Sequence, residues 1–213
     1  MSDFDIKDRT ATRYDSSEGE TSGETERHSI QAYVSDMLAL ERHIEVPLGR
    51  QLQMGDTARF GDAQTVIAEI KRLTDAHVTE LERLLEQTGG SAASPVKSAW
   101  SSLLGMGAAA IDSVRKTKVS KSLRDDYTAL SLATISYTML YTTAVGMGDT
   151  PTAMLAQRHL SDYARLVMQI AQVIPSIVLL ELQADGETIA TGAPETIRRQ
   201  IQEVWRSQSA AQQ

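Results

Sequence analysis

The sequence predicts an all-α fold, a four-helix bundle, on three observations. Apolar residues recur at steps of three and four along four long segments. Few residues separate the first segment from the second and the third from the fourth, whereas a long, partly helical stretch separates the second from the third. No two alternating segments flank a hairpin turn, so nothing competes for a sheet. Two helical hairpins joined by a long crossover is the arrangement of ferritin-like bundles.

Met1 to about Arg27 is mostly Ser, Thr, Gly, Asp and Glu, with Phe4, Ile6 and Tyr14 its only sizeable apolar residues. Residues 1–28 are therefore expected to form a disordered acidic tail. Its acids outnumber its bases eight to four, so it holds more than half of the net charge of −7 and leaves the rest of the chain nearly neutral. Ile30, Val34, Met37, Glu41, Ile44 and Leu48 then set a first helix over about 29 to 54. Pro47 lies inside it, where the missing N–H and the ring predict a kink or a second short helix. Gly55-Asp56 and Gly61-Asp62 bracket a short connection, with Asp62 as the expected N-cap of a second helix over about 62 to 88. Its stripe is Ile67, Ile70, His77, Leu81 and Leu84, and Gly89-Gly90 stops it.

Val96 to about Thr117 reads as an extra crossover helix of small residues, with Trp100, Leu103, Leu104, Met106, Ile111 and Val114 as its apolar set and Gly105 and Gly107 weakening it. The third long helix begins near Ser122 and carries Tyr127, Leu130, Ile135, Tyr137 and Tyr141 to the stop at Gly146. Asp149-Thr150-Pro151 caps the fourth, because proline suits a first helical turn. Leu155, His159, Asp162, Leu166 and Ile170 follow; Pro175 is expected to bend or end this helix, with a short apolar helix from Ile177 to Leu182 beyond it. After a loop over Gly186 to Gly192, Pro194 to about Ser207 forms a last amphipathic helix holding Ile197, Ile201, Val204 and Trp205. The expected organisation is a tail (1–28), a bundle (29–175) and a C-terminal helical extension (176–213).

Composition removes several function classes. The absence of cysteine excludes disulfides, thiolate zinc sites, iron–sulfur clusters and cysteine nucleophiles. Any metal must be held by His, Asp, Glu or Tyr. A net charge of −7 argues against a general nucleic-acid binder, which needs a basic surface. No run of about 18 to 20 uninterrupted apolar residues predicts a membrane span, and Met1 to Thr10 lacks the layout of a secretion signal, so the expected location is the cytoplasm.

A helix buried on one face should present apolar residues there, so a charged side chain in that row needs a partner, a metal or water. Glu41 falls in step with Met37, Ile44 and Leu48; His77 lies seven residues from both Ile70 and Leu84; His159 and Asp162 lie between Leu155 and Leu166. Carboxylate and imidazole groups converging from several helices suit a divalent ion such as iron, manganese or zinc. The competing reading is a set of buried acid–histidine pairs that satisfy one another without a metal. His159 is the candidate that a modest rotation of its helix would take to the surface. Glu80, one turn from His77, is expected to be an exposed neighbour. Tyr137 and Tyr141 are expected to be core aromatics whose hydroxyls reach the polar centre. Met106, Met139, Met147, Met154 and Met168 read as gap-filling core residues, and the basic run from Arg115 to Arg124 as a solvated face. His28 and His43 receive no role.

The segment Asp36-Met-Leu-Ala-Leu-Glu41-Arg-His-Ile-Glu-Val-Pro-Leu48 resembles the first-helix signature of the YciE/YciF-type ferritin-like family. Glu80-Leu-Glu-Arg-Leu-Leu-Glu86 is similar to that family's second-helix end, and Arg124-Asp125 to its third-helix start. The resemblance spans about 30 to 170 and implies a bacterial, stress-related bundle with a di-metal centre. It places Glu41 on the first-helix carboxylate. The family's Glu-Glu-x-His falls on Asp75-Ala76-His77-Val78, its Glu-His-Tyr-Glu on Ser136-Tyr137-Thr138-Met139, and its last Glu pair on Ser161-Asp162. Most of the paired carboxylates are thus missing, and two cations a few ångströms apart need several anions to offset their repulsion.

The expectation is a divergent, non-enzymatic member that acts through oligomeric assembly or partner binding. Its degenerate site of Glu41, His77, His159 and Asp162 would hold no metal or one weakly bound divalent ion. The alternative is a metal-dependent oxidase or an iron or manganese store. The apolar stripes around Trp100 to Val114 and at Ile197, Ile201 and Trp205 predict a homodimer or larger oligomer, and the tail is a candidate contact for a protein partner.

Overall fold

A computed structural model of the chain describes residues 17–89 and 118–210, with side chains over 29–89 and 118–206. The described residues are all-α: α1 (Ser17–Gln53), α2 (Gly55–Ala58), α3 (Gly61–Gln87), α4 (Val119–Gly146), α5 (Thr150–Ala184) and α6 (Ala193–Ala210). The four long helices α1, α3, α4 and α5 surround one core. α1 packs on α3 and α4, and α5 packs on the same two. Each of these contacts is antiparallel: Arg42 of α1 meets Glu82 of α3 and Lys71 of α3 meets Glu45 of α1, Gln51 meets Asp126 between α1 and α4, Ser120 meets Glu181 between α4 and α5, and Glu69 and Glu80 meet Arg165 and His159 between α3 and α5. Leu48, Ile67, Leu81, Leu123, Leu130, Leu140, Leu166 and Ile170 are fully buried between them. Truncating one such leucine to alanine costs about 2–5 kcal/mol, so the core is ample for one domain.

Several boundaries differ from the sequence reading. α1 starts at Ser17, so residues 17–28, assigned above to a disordered tail, are helical backbone. Residues 1–16 of that tail and the expected crossover helix, with Met106, lie outside the described residues. α1 continues through Pro47 to Gln53, and α5 continues through Pro175 to Ala184, so the separate helix expected at Ile177–Leu182 is the end of α5 and the bundle does not stop at residue 175. A proline costs a helix one hydrogen bond and some bending, and here anchoring outweighs it: Ile170 and Ile177 are buried on either side, while Ser120 and Lys118 hold Glu181 and Asp185 in the final turns.

The caps divide likewise. Asp149 accepts from the Thr152 backbone N–H at 3.1 Å, with Pro151 in the first turn, as expected for α5. Asp62 lies inside the first turn of α3 rather than at its N-cap, which is Phe60. α3 ends where Gly89 adopts φ +82°, a left-handed conformation that glycine reaches at little cost.

The methionines also depart from the expectation. Met37 is in the core, but Met139, Met154 and Met168 are exposed, because the apolar surface of α4 and α5 is wider than the stripe facing the core. α5 is the one described helix long and apolar enough to cross a bilayer by length and composition. Its inner face packs in the bundle through Leu155, Leu166 and Ile170. Its outer face borders α6 across a groove of about 770 Å³ lined by Met168, Pro175, Leu179, Ile197, Ile201 and Trp205.

Candidate functional site

The polar residues in the stripes meet at mid-bundle. Glu41 on α1 is fully buried, and three side chains from three other helices converge on its carboxylate. His77 of α3 places Nδ1 3.2 Å from Oε1, Tyr137 of α4 donates its hydroxyl to Oε1 at 2.5 Å, and Tyr163 of α5 donates to Oε2. Thr74, one turn before His77, meets the Tyr163 hydroxyl at 3.1 Å. His159 of α5 is buried, not turned to the surface, and sets Nδ1 2.9 Å from the Tyr137 hydroxyl.

The two imidazoles stack, with ring centroids 3.7 Å apart and planes 14° from parallel. Tyr137 and Tyr163 close the sides of this stack edge-on. Carboxylates meet the outer nitrogens: Asp162 Oδ2 is 3.3 Å from His77 Nε2, and Glu80 Oε2 is 3.0 Å from His159 Nε2. These two acids form the rim, their side chains being 28% and 32% exposed against 0% for Glu41. Glu80 also pairs with Arg158.

The electrostatics follow from burial. Burial first, and the Glu41 charge second, hold the Tyr137 and Tyr163 hydroxyls well above their usual pKa, so both keep the hydrogens they donate. Burial first, then the charge on His77, holds His159 down to about 3, so it is a neutral imidazole at ordinary pH. Burial pushes Glu80 up, but its bonds to Arg158 and His159 outweigh that and hold it below the usual carboxylate value.

Seven polar contacts join Thr74, Tyr163, Glu41, Tyr137, His77, His159, Asp162 and Glu80 into one network.

Glu41, His77 and His159 each offer one ligand atom within 4.8 Å of the others, a carboxylate–imidazole set suited to a first-row divalent ion. Imidazole lone pairs lie in the ring plane, so those of the stacked rings run side by side; an ion shared by both histidines requires one ring to turn. The residues do not fit two adjacent cations. Among the described residues, Glu41 is the only carboxylate in the buried centre, already meeting three partners, and the rim acids engage Arg158 and the imidazoles. Asp75, on which the resemblance placed a family acid, points outward to Lys71 at 2.6 Å. Met139, on another family acid, is exposed, and Ser136 bonds the Leu132 backbone.

Of the four candidate ligands, three converge and Asp162 joins from the rim through His77. Glu80, read from the sequence as an exposed neighbour, belongs to the site through His159. Tyr137 meets the expectation of a core hydroxyl reaching the centre; Tyr141 is partly buried. Tyr163 and Thr74 were missed, although Tyr163 stands one turn after His159 and Thr74 one turn before His77, spacings that share a helix face.

No protein-family model and no curated protein matches the chain. Among solved structures, a crystal structure of a protein from Xanthomonas campestris pv. campestris superposes with a TM-score of 0.61 at 16% identity, covering 76% of this chain and 99% of that one. At that identity the likeness shows the helical fold alone.

Proposed function

We propose that this is a ferritin-like helical bundle, a divergent relative of the YciE/YciF type, that works without catalysis through assembly or partner binding, and whose interior holds one divalent ion at most. The observation that supports this reading is the engagement of Glu41. A di-metal oxidase needs carboxylates free to bridge two ions, whereas here two phenols and an imidazole meet the Glu41 carboxylate. Assembly has its own support in the apolar faces of α5 and α6, where Met168, Leu180, Ile201 and Trp205 stay exposed within the described residues. Self-association is the economical way to cover such faces. A cytoplasmic location and the lack of a membrane span or nucleic-acid partner belong to the same reading.

Metal analysis of protein purified without chelators, followed by Fe(II) oxidation assays, tests it. The expected result is less than one ion per chain and oxidation no faster than the buffer rate; two ions per chain with turnover would overturn it. The second reading, a single-ion metal protein, is favoured by the convergence of Glu41, His77 and His159, whose ligand atoms lie within 4.8 Å of one another. Titration with Zn(II) or Mn(II) would then saturate at one ion per chain, and His77→Ala would abolish binding.

A further inference from the structure

Away from the centre, at the end of α1, a second polar pair is sealed inside the protein. Gln51 of α1 and Asp126 of α4 are 8% and 6% exposed, and the Gln51 Nε2 amide donates to Asp126 Oδ1 at 2.9 Å. The other atom of each group, Gln51 Oε1 and Asp126 Oδ2, is buried without a hydrogen-bond partner among the described residues. Both are acceptors when the carboxyl is ionised. Turning the amide over would set its oxygen against Oδ1, an acceptor against an acceptor, so a flip does not resolve the pair.

One hydrogen on Oδ2 does. A carboxylic acid and a primary amide can face each other through two antiparallel hydrogen bonds, N–H to carbonyl oxygen and O–H to amide oxygen, and the two orphaned atoms are those the second bond would join. We propose that Asp126 is a built-in proton-binding site, a neutral carboxylic acid that pairs with the Gln51 amide and clasps α1 to α4 until the proton leaves. Among the described residues, no cation pairs with Asp126. Asp125, beside it on α4, disfavours a second negative charge; Arg124 is engaged with Asp125, and on α2 Asp56 pairs with Arg59. Burial first, then the Asp125 charge, raises the Asp126 carboxyl to about 7, against the opposing pull of the Gln51 amide.

The unfolded carboxyl titrates near 3.9, so between about pH 4 and 7 the folded form binds the proton and the unfolded form releases it. Stability owed to the clasp is therefore fully present at low pH, declines as pH rises through that window, and is flat above it. Asp126→Asn retains an amide N–H where the acid carries O–H and cannot ionise. In urea unfolding of the full chain, the ratio of folding constants, Asp126→Asn over unchanged protein, should grow by close to tenfold per pH unit between about pH 5 and 6.5. A ratio constant with pH would overturn the proposal. Infrared difference spectra of the unchanged folded protein give a readout that needs no variant to fold: a protonated-carboxyl carbonyl band should be present at pH 6 and lost by pH 8.5, and Gln51→Leu should shift its midpoint. Absence of that band at pH 6, or a midpoint that follows the potassium or sodium concentration and so reports a bound metal cation in place of the proton, would also overturn it.

Discussion

Glu41 and Asp126 are two buried carboxyl groups on neighbouring helices, and their surroundings could hardly differ more. Glu41 has two phenols and an imidazole within hydrogen-bonding distance; Asp126 has one amide and an oxygen without a hydrogen-bond partner among the described residues. Depth does not separate them, since both lie almost wholly out of water. The supply of donors does. An acid given several donors has both oxygens satisfied and knits helices together, whereas one given a single donor is better served by a proton of its own.

Glu41→Ala leaves two phenols and an imidazole without their common acceptor, and it should lower unfolding stability by about 4 kcal/mol. A loss below about 1 kcal/mol in urea titrations would mean that the three contacts carry little weight.

The next effect is acid sensitivity at the stack. His159 is held down to about 3 from an ordinary 6.5, so the folded protein binds fewer protons than the unfolded chain in that interval. Stability should fall as pH drops from about 6.5 toward 3, opposite in sign to the effect of Asp126. The slopes overlap, so the measurement belongs in the Asp126→Asn background, where replacing His159 with glutamine should flatten what remains. The smallest expected effect comes from Tyr163→Phe, which removes one of three donors and one partner of Thr74; about 2 kcal/mol is expected, roughly half the cost of losing Glu41.

How much of this could be read beforehand follows from where each signal lives. Glu41, His77 and His159 were legible because each interrupts an apolar row at helical spacing, and burial of the row forces the interruption to find partners. Glu80 was not, because its Cα lies off that row and its reach to His159 depends on the rotation of a helix on the neighbouring hairpin. Tyr163 hid because a tyrosine in an apolar stripe needs no explanation until its hydroxyl is seen to bond. Asp126, beside Asp125 and Arg124 near the start of α4, reads as an ordinary solvated acid; only the approach of α1 buries it. The fold class was legible from periodicity alone. Pro47 and Pro175 misled, since proline's penalty is local whereas the anchors that override it come from residues distant in sequence.

The meeting of four helices on one carboxylate has a consequence for how the chain finds its native arrangement. Sliding or rolling any helix by one residue swings its contribution about 100° away from Glu41, stranding a polar group in hydrocarbon. Leucines and isoleucines tolerate such slippage with small losses; a single polar key admits one alignment and rejects its neighbours.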